Sequence, residues 1–219
     1  MSTGTSRPLP AVVWDMGGIM YRYFTEVVAD LAAARGWPLD GVPLGPTGTS
    51  PDAAYEAMTQ GRIDEPTYLE IVTERLRDIG VEVDLREEIH WPDQTRPRTW
   101  EVIAAVAAAR HPQALLTNDA TAWLGHGWWN SWEPAGWFDE LVDVATVGVR
   151  KPAPEPYLAA ADALGLPTSD CLFVDDMVVN CRGAEAVGMA SHHVDIREAD
   201  ASLQRLARRL GLDQALVPR

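Results

Sequence analysis

Three short apolar runs in this sequence end abruptly in side chains that bind cations or phosphate oxygens. Ala11-Val12-Val13-Trp14 stops at Asp15, followed by Met16-Gly17-Gly18. Ala114-Leu115-Leu116 stops at Thr117-Asn118-Asp119, and Cys171-Leu172-Phe173-Val174 stops at Asp175-Asp176. In open α/β sheets ligands bind beyond the carboxyl ends of the strands, so Asp15, Thr117, Asp175 and Asp176 are expected to converge. Crowded carboxylates repel one another unless a cation sits among them. Hard oxygen ligands suit Mg2+, which also bridges to phosphate oxygens. Mg2+, a hydroxyl and an ammonium together are the parts of a phosphoryl-transfer site. The ammonium has a single source: of the 18 basic residues only Lys151 is a lysine. A compact ammonium on a flexible stem can touch a carboxylate and a transferring oxygen together, where a planar guanidinium is wider.

The elements that must position these groups are legible as alternating patterns. Short apolar runs suit strands covered on both faces. A weaker run lies around Leu141 to Ala145 and another near Met189 to Val194. Between them Trp100, Ile103, Val106 and Ala107 keep helical spacing, as do Tyr157, Ala160, Ala161 and Leu164, with Gly165 as a stop. Ala184 and Val187, then Leu203, Leu206 and Leu210, give two more helices. The alternation predicts an α/β fold with a Rossmann-like, doubly wound, mostly parallel sheet. Residues 23–96 differ, showing helical stripes (Ala53, Ala54, Ala57, Met58; Tyr68, Leu69, Val72, Leu76, Ile79) without a convincing strand. Ser50 is the expected cap of the first stripe, with Pro51 opening the helix. This stretch reads as a small helical insert after the first strand, leaving 1–22 and 97–219 as the α/β core.

Composition narrows the classes. The chain has 219 residues, 47% hydrophobic and 23% charged, which excludes collagen, disorder and a disulfide scaffold. A net charge of −14 argues against nucleic acid and anionic membrane surfaces as partners. Residues 1–10 read as a lead-in with no apolar signal core, and no run approaches the ~18 residues that span a bilayer, so a cytoplasmic location is expected. Cys171 and Cys181 lack metal-ligand spacing and read as reduced thiols. Walker A, dinucleotide, serine-hydrolase and zinc-peptidase signatures are absent from the sequence.

Four motifs together resemble the haloacid dehalogenase (HAD) superfamily: Val12-Val13-Trp14-Asp15-Met16-Gly17-Gly18; Leu115-Leu116-Thr117-Asn118; Gly148-Val149-Arg150-Lys151-Pro152 through Tyr157; and Phe173-Val174-Asp175-Asp176 through Asn180. They stand in the family's order over residues 11 to 195, and the helical insert, with Gly61-Arg62-Ile63-Asp64, is similar to the family's helical cap. The resemblance implies an Asp15 nucleophile that forms an aspartyl-phosphate. It implies Thr117 on the phosphoryl oxygens and Lys151 neutralising charge, with Asn118 also toward substrate. Mg2+ would be held by Asp15, the Gly17 carbonyl and Asp176, with Asp175 helping and Asn180 orienting. The implied substrate is a small phosphorylated metabolite, and some relatives with Asp-x-Gly-Gly starts act on sugar phosphates. A homodimer is left open.

One position departs from the family pattern. Its phosphatases carry an acid/base Asp two residues after the nucleophile, where this chain has Gly17. A general acid contributes roughly 10²- to 10⁴-fold in rate. Asp119, Tyr21 and His126 are the substitutes by sequence, and Arg22 is placed to meet an anionic substrate. The rival readings are a C–halogen hydrolase, which needs neither acid nor metal, and a non-catalytic binding protein. Five tryptophans (Trp123, Trp128, Trp129, Trp132, Trp137) form either an aromatic contact surface or core packing. His192-His193 reads as structural.

Overall fold

The computed structural model of the chain describes residues 10–118 and 120–212. The lead-in before Pro10 and the candidate acid Asp119 lie outside them. Five strands form one sheet: β1 (Ala11–Trp14), β2 (Gln113–Thr117), β3 (Glu140–Asp143), β4 (Cys171–Asp175) and β5 (Ala190–His193). Their order is β3-β2-β1-β4-β5, and every pairing is parallel. The central strands β1, β2 and β4 are buried along their whole length, which is why they read as unbroken apolar runs. The edge strands β3 and β5 are only partly covered, and their signals are correspondingly weaker. The run at 141–145 is strand only to Asp143; Val144 opens a helix.

Ten α-helices occupy the described residues: α1 (Phe24–Arg35), α2 (Ala53–Thr59), α3 (Glu65–Asp78), α4 (Leu85–Glu88), α5 (Pro97–Ala108), α6 (Ala120–Leu124), α7 (Val144–Val147), α8 (Pro154–Ala163), α9 (Val178–Ala186) and α10 (Ala199–Arg209). α5 and α10 pack with Trp14, Leu115 and Val174 on one face of the sheet, and α8 and α9 with Val13, Leu116 and Phe173 on the other. Between β1 and β2, helices α1 to α4 gather a separate cluster around Phe24, Tyr68, Leu69, Val72, Leu76 and Leu85. Among the described residues no helix is long and apolar enough to cross a membrane. Cys171 and Cys181 are buried and unpaired.

The cap of α2 corrects the sequence expectation. Asp52, not Ser50, is the N-cap, its carboxylate accepting the backbone N–H groups of Ala54 and Tyr55 at 3.0 Å. The same carboxylate accepts both Arg75 guanidinium arms (2.8 and 2.9 Å), the Tyr68 hydroxyl (2.7 Å) and the Gly45 N–H (3.0 Å). Burial alone would raise its pKa, but Arg75, Tyr68 and the backbone donors outweigh it and hold the carboxyl well below the usual range. Asp52→Ala is expected to cost about 3 kcal/mol in a denaturant titration, since it strands Arg75 and uncaps α2, while Ser50→Ala stays within about 0.5 kcal/mol. Equal effects would mean that Asp52 is only one cap among several.

Candidate active site

The register of the sheet sets the site. β1 lies between β2 and β4, with Trp14 beside both Leu115 and Val174, so Asp15 leaves the sheet level with Leu116 and Asp175. The chain runs from β1 outward to β2 and β3 and then returns to the other side at β4. The crevice between β1 and β4 is therefore the topological switch point, where α/β sheets bind ligands. Carboxylate oxygens of Asp15, Asp175 and Asp176 lie within 4.8 Å of one another there.

Lys151 reaches into this cluster from the start of the turn before α8. Its Nζ donates to Asp15 Oδ1 (2.6 Å), Asp175 Oδ2 (3.1 Å) and the Leu116 carbonyl (3.1 Å), using all three of its protons. Asn118 fixes the lysine backbone from both sides: its Oδ1 accepts the Lys151 N–H (3.0 Å) and its Nδ2 donates to the Lys151 carbonyl (3.3 Å). Asp175 is fully enclosed, its oxygens taken up by Lys151, the Met177 N–H (2.7 Å) and the Asn180 amide (3.0 and 3.2 Å). Thr117 is buried with its hydroxyl accepting the Ala120 N–H at 3.3 Å.

The charges do not balance. One ammonium faces three carboxylates. Burial is the largest effect on Asp15 and lifts its pKa to about 7, with Lys151 opposing and Asp175 adding. Burial, then Asp175 and Asp15, push Asp176 well above the usual carboxylate range. For Lys151 burial alone would favour the neutral amine, but Asp15 and Asp175 outweigh it and keep the ammonium. An all-oxygen cluster with surplus negative charge is chemically matched to a hard divalent cation.

The two glycines after Asp15 have different reasons. Gly18 has φ +70°, and a Cβ there would lie 2.4 Å from the Asp176 carboxyl, so only glycine lets the carboxylate approach. A Cβ on Gly17 would meet nothing within 4 Å. The loop itself is held from α5 and the residue before it, where Arg96 Nε donates to the Gly18 carbonyl (2.8 Å) and Thr99 to the Ile19 carbonyl (2.6 Å).

Above the cluster opens a cavity of about 210 Å³. Asp15, Gly17, Thr117, Asn118, Lys151, Asp176 and Asn180 form its floor. Tyr23, Tyr55, Met58, Glu65 and Trp91 reach it from the helical region, and Tyr21, Trp123, Trp132 and Arg150 from the sheet side. Trp123 donates its indole N–H to Glu65 (2.9 Å) and meets Trp91 edge-on at 5.3 Å, so α6 touches the helical region at this wall.

Sequence reasoning named the floor and, of the wall, Tyr21, Trp123 and Trp132, but did not place Tyr23, Tyr55, Glu65, Trp91 or Arg150 at the site. Asp175, expected to help with the metal, lies fully buried beneath the lining with a carboxylate oxygen still in the cluster of Asp15 and Asp176. Of the substitutes for the missing acid, Tyr21 lines the cavity with its hydroxyl accepting from Trp132 (2.9 Å), and burial raises its pKa. His126 is exposed and outside the lining. Arg22 lines the cavity and pairs with Asp30 at 2.7 Å. The tryptophan segment divides: Trp128, Trp129 and Trp132 pack together and against Phe138 on the core, Trp123 and Trp132 face the cavity, and Trp137 is exposed. His193 contacts the Asp176 carbonyl (2.9 Å) and His192 the Ser202 carbonyl (2.9 Å).

Proteins of similar sequence and fold are known. Protein CbbY (plasmid) of Cupriavidus necator is 33% identical over 102 residues, 43% of this chain and 38% of that protein. Phosphatase MT3486 of Mycobacterium tuberculosis is 43% identical over 60 residues, 26% of this chain and 28% of that protein. The chain thus spans well under half the length of these curated relatives. Among solved structures, a dehalogenase superposes with a TM-score of 0.60 at 16% identity, covering 93% of this chain and 98% of that one. A HAD phosphatase from Thermococcus onnurineus gives 0.55 at 19% identity, covering 92% and 98%. At such identities these two establish the fold alone. The family model of haloacid dehalogenase-like hydrolases, however, matches residues 9–188, and with it the chain belongs to that hydrolase family.

Proposed function

We propose that the protein is a Mg2+-dependent phosphatase of a small phosphorylated metabolite, working through an aspartyl-phosphate on Asp15. The observation that carries this reading is Lys151 Nζ bridging Asp15 and Asp175 beside the third carboxylate of Asp176. A single positive charge leaves that cluster short of neutral, and a divalent cation would balance it. Phosphatases among the relatives and similar folds support the same reading.

Each residue has a part set by its contacts. Asp15 Oδ attacks phosphorus. Lys151 orients that carboxylate and offsets the charge gathering on the transferring oxygens. The Thr117 hydroxyl donates to a phosphoryl oxygen. Asn118 acts through Lys151 by clamping its backbone, and Asp175 with Asn180 holds the ammonium in place. Asp15, Asp176 and the Gly17 carbonyl would hold Mg2+, with the buried Asp175 helping from beneath them. Bound there, the ion supplies positive charge to the phosphoryl oxygens. One neighbour, a HAD family enzyme of Bacteroides thetaiotaomicron, is a complex with magnesium and inorganic phosphate, which supports that choice of ion.

The test is phosphate release from a panel of phosphate esters with Mg2+ and with EDTA. Release should require Mg2+, and its half-saturating concentration should rise as pH falls below about 7, because protons and cation compete for Asp15 and Asp176. In the metal-free protein the sign is the reverse. Carboxyls raised in the folded state favour folding at low pH, so its melting temperature should fall as pH rises from about 4 to about 7. Activity that survives EDTA on haloacids, with no phosphate release, would instead favour C–halogen hydrolysis. Gly17 is the observation that keeps this second reading open, since a halide leaves without an acid. The paired Asp175 and Asp176 have no use in it.

A further inference from the structure

We infer that the substrate is a phosphate ester of an apolar aromatic alcohol, an aryl phosphate whose oxyanion leaves without being protonated. The inference rests on the phosphatase reading and adds the class of ester.

Two independent features lead to it. The first is the wall of the cavity. Three of its aromatic residues place a polar atom on a neighbour within the wall: Trp132 Nε1 on the Tyr21 hydroxyl (2.9 Å), Trp123 Nε1 on Glu65 (2.9 Å), and the Tyr23 hydroxyl on Met58 Sδ (3.0 Å). Ring surface is then much of what these three side chains offer a substrate, beside the polar ends of Arg22, Tyr55 and Arg150 elsewhere on the lining. A sugar would press several hydroxyls against such a wall, and a hydroxyl buried without a partner costs about 1–3 kcal/mol. A flat apolar group gains from the same surface.

The second feature is the position beside the nucleophile. At Gly17 the added Cβ has open space to 4 Å, so the place where the family's acid would start is left open rather than filled by another side chain. An alcohol leaving group ionises at roughly the pKa of water, about 16, and needs protonation, whereas a phenol ionises near 10. Asp15 Oδ attacks phosphorus, the P–O(aryl) bond breaks with its electron pair on the aryl oxygen, and the aryloxide takes its proton from water. A second water then attacks phosphorus, the Asp15 oxygen leaves with its pair, and the proton of that water goes to solvent.

The experiment measures kcat and KM with Mg2+ for phenyl phosphates of graded leaving-group pKa, 1-naphthyl phosphate, glucose 6-phosphate and glycerol 3-phosphate. Expected are a steep rise in kcat as the phenol becomes more acidic, and a kcat/KM for 1-naphthyl phosphate at least about 100-fold above that for glucose 6-phosphate. Trp91→Ala should raise KM for 1-naphthyl phosphate up to about tenfold. Gly17→Asp should flatten the leaving-group dependence and help glycerol 3-phosphate most; the wild-type series decides if that variant misfolds. A flat wild-type series, steepened by Glu65→Gln, would overturn the inference by revealing an acid across the cavity. So would equal or faster turnover of glucose 6-phosphate, with the phosphatase reading left intact. Release from no ester at all, and no phosphorylated Asp15 by mass spectrometry, would remove both.

Discussion

Asp15→Asn should abolish phosphate release, by at least about 10⁴-fold in kcat, while leaving the protein folded. The amide is nearly isosteric but cannot attack phosphorus as an anion. The physical setting makes the stability half of this prediction as specific as the rate half. In the metal-free protein the carboxylates outnumber the ammonium, and Asp15 holds a proton up to about pH 7. Replacing it with a neutral group removes the repulsion from Asp175 that helps raise its pKa. The variant should therefore melt no lower than wild type in EDTA above pH 7, and should gain less from Mg2+. Mass spectrometry after brief exposure to substrate should find a phosphoryl group on the Asp15 peptide of wild type alone. Equal activity in the two proteins would remove the aspartyl-phosphate mechanism. Inactivity of both toward every ester would turn the reading toward a binding protein.

Lys151→Arg should keep the positive charge and lose about 10²- to 10³-fold in kcat, with a smaller change in KM. Lys151 is 3% exposed, and its Nζ fits among Asp15, Asp175 and the Leu116 carbonyl while standing 5.2 Å over the Phe173 ring. Those partners surround a point. A guanidinium brings three nitrogens in a plane to a space shaped for one, and forcing it in costs about 1–3 kcal/mol of packing. It would displace Asp15 or withdraw toward the cavity, and either movement spoils the alignment for attack. A thermal melt showing a folded variant separates this loss from simple unfolding. Near-normal turnover would mean that the single lysine of this chain is an accident of composition.

Much of this was legible because the relevant constraints are local in the sequence. Strands buried on both faces must be apolar throughout, so an Asp or Thr at their ends stands out, as at Asp15, Thr117 and Asp175. Parallel pairing then brings those ends to one edge whatever the loops do. The edge strands were blurred for the same reason in reverse: β5 is half exposed and carries Ser191, His192 and His193.

Other features depended on partners far along the chain. Ser50-Pro51-Asp52 contains two good caps, and the choice fell to Asp52 because Arg75 and Tyr68, on α3, bind its carboxylate. Asn118 was expected to meet the substrate; it lines the cavity, and its amide also clamps the Lys151 backbone, a contact no local pattern announces. The helical stripes at Tyr68, Leu69, Val72 and Leu76 were visible because they build a core with the period of the helix. Tyr55, Met58, Glu65 and Trp91 face the cavity from two helices and a short turn, with no period to give them away. The sequence alone determined the fold class and which side chains meet at the strand ends, since both follow from patterns a few residues long. Only the tertiary structure decided what surrounds those groups. The cavity wall is assembled from segments as far apart in the chain as Tyr21 and Arg150, and its character comes from side chains that meet only in the fold, as Trp132 meets Tyr21 and Trp123 meets Glu65.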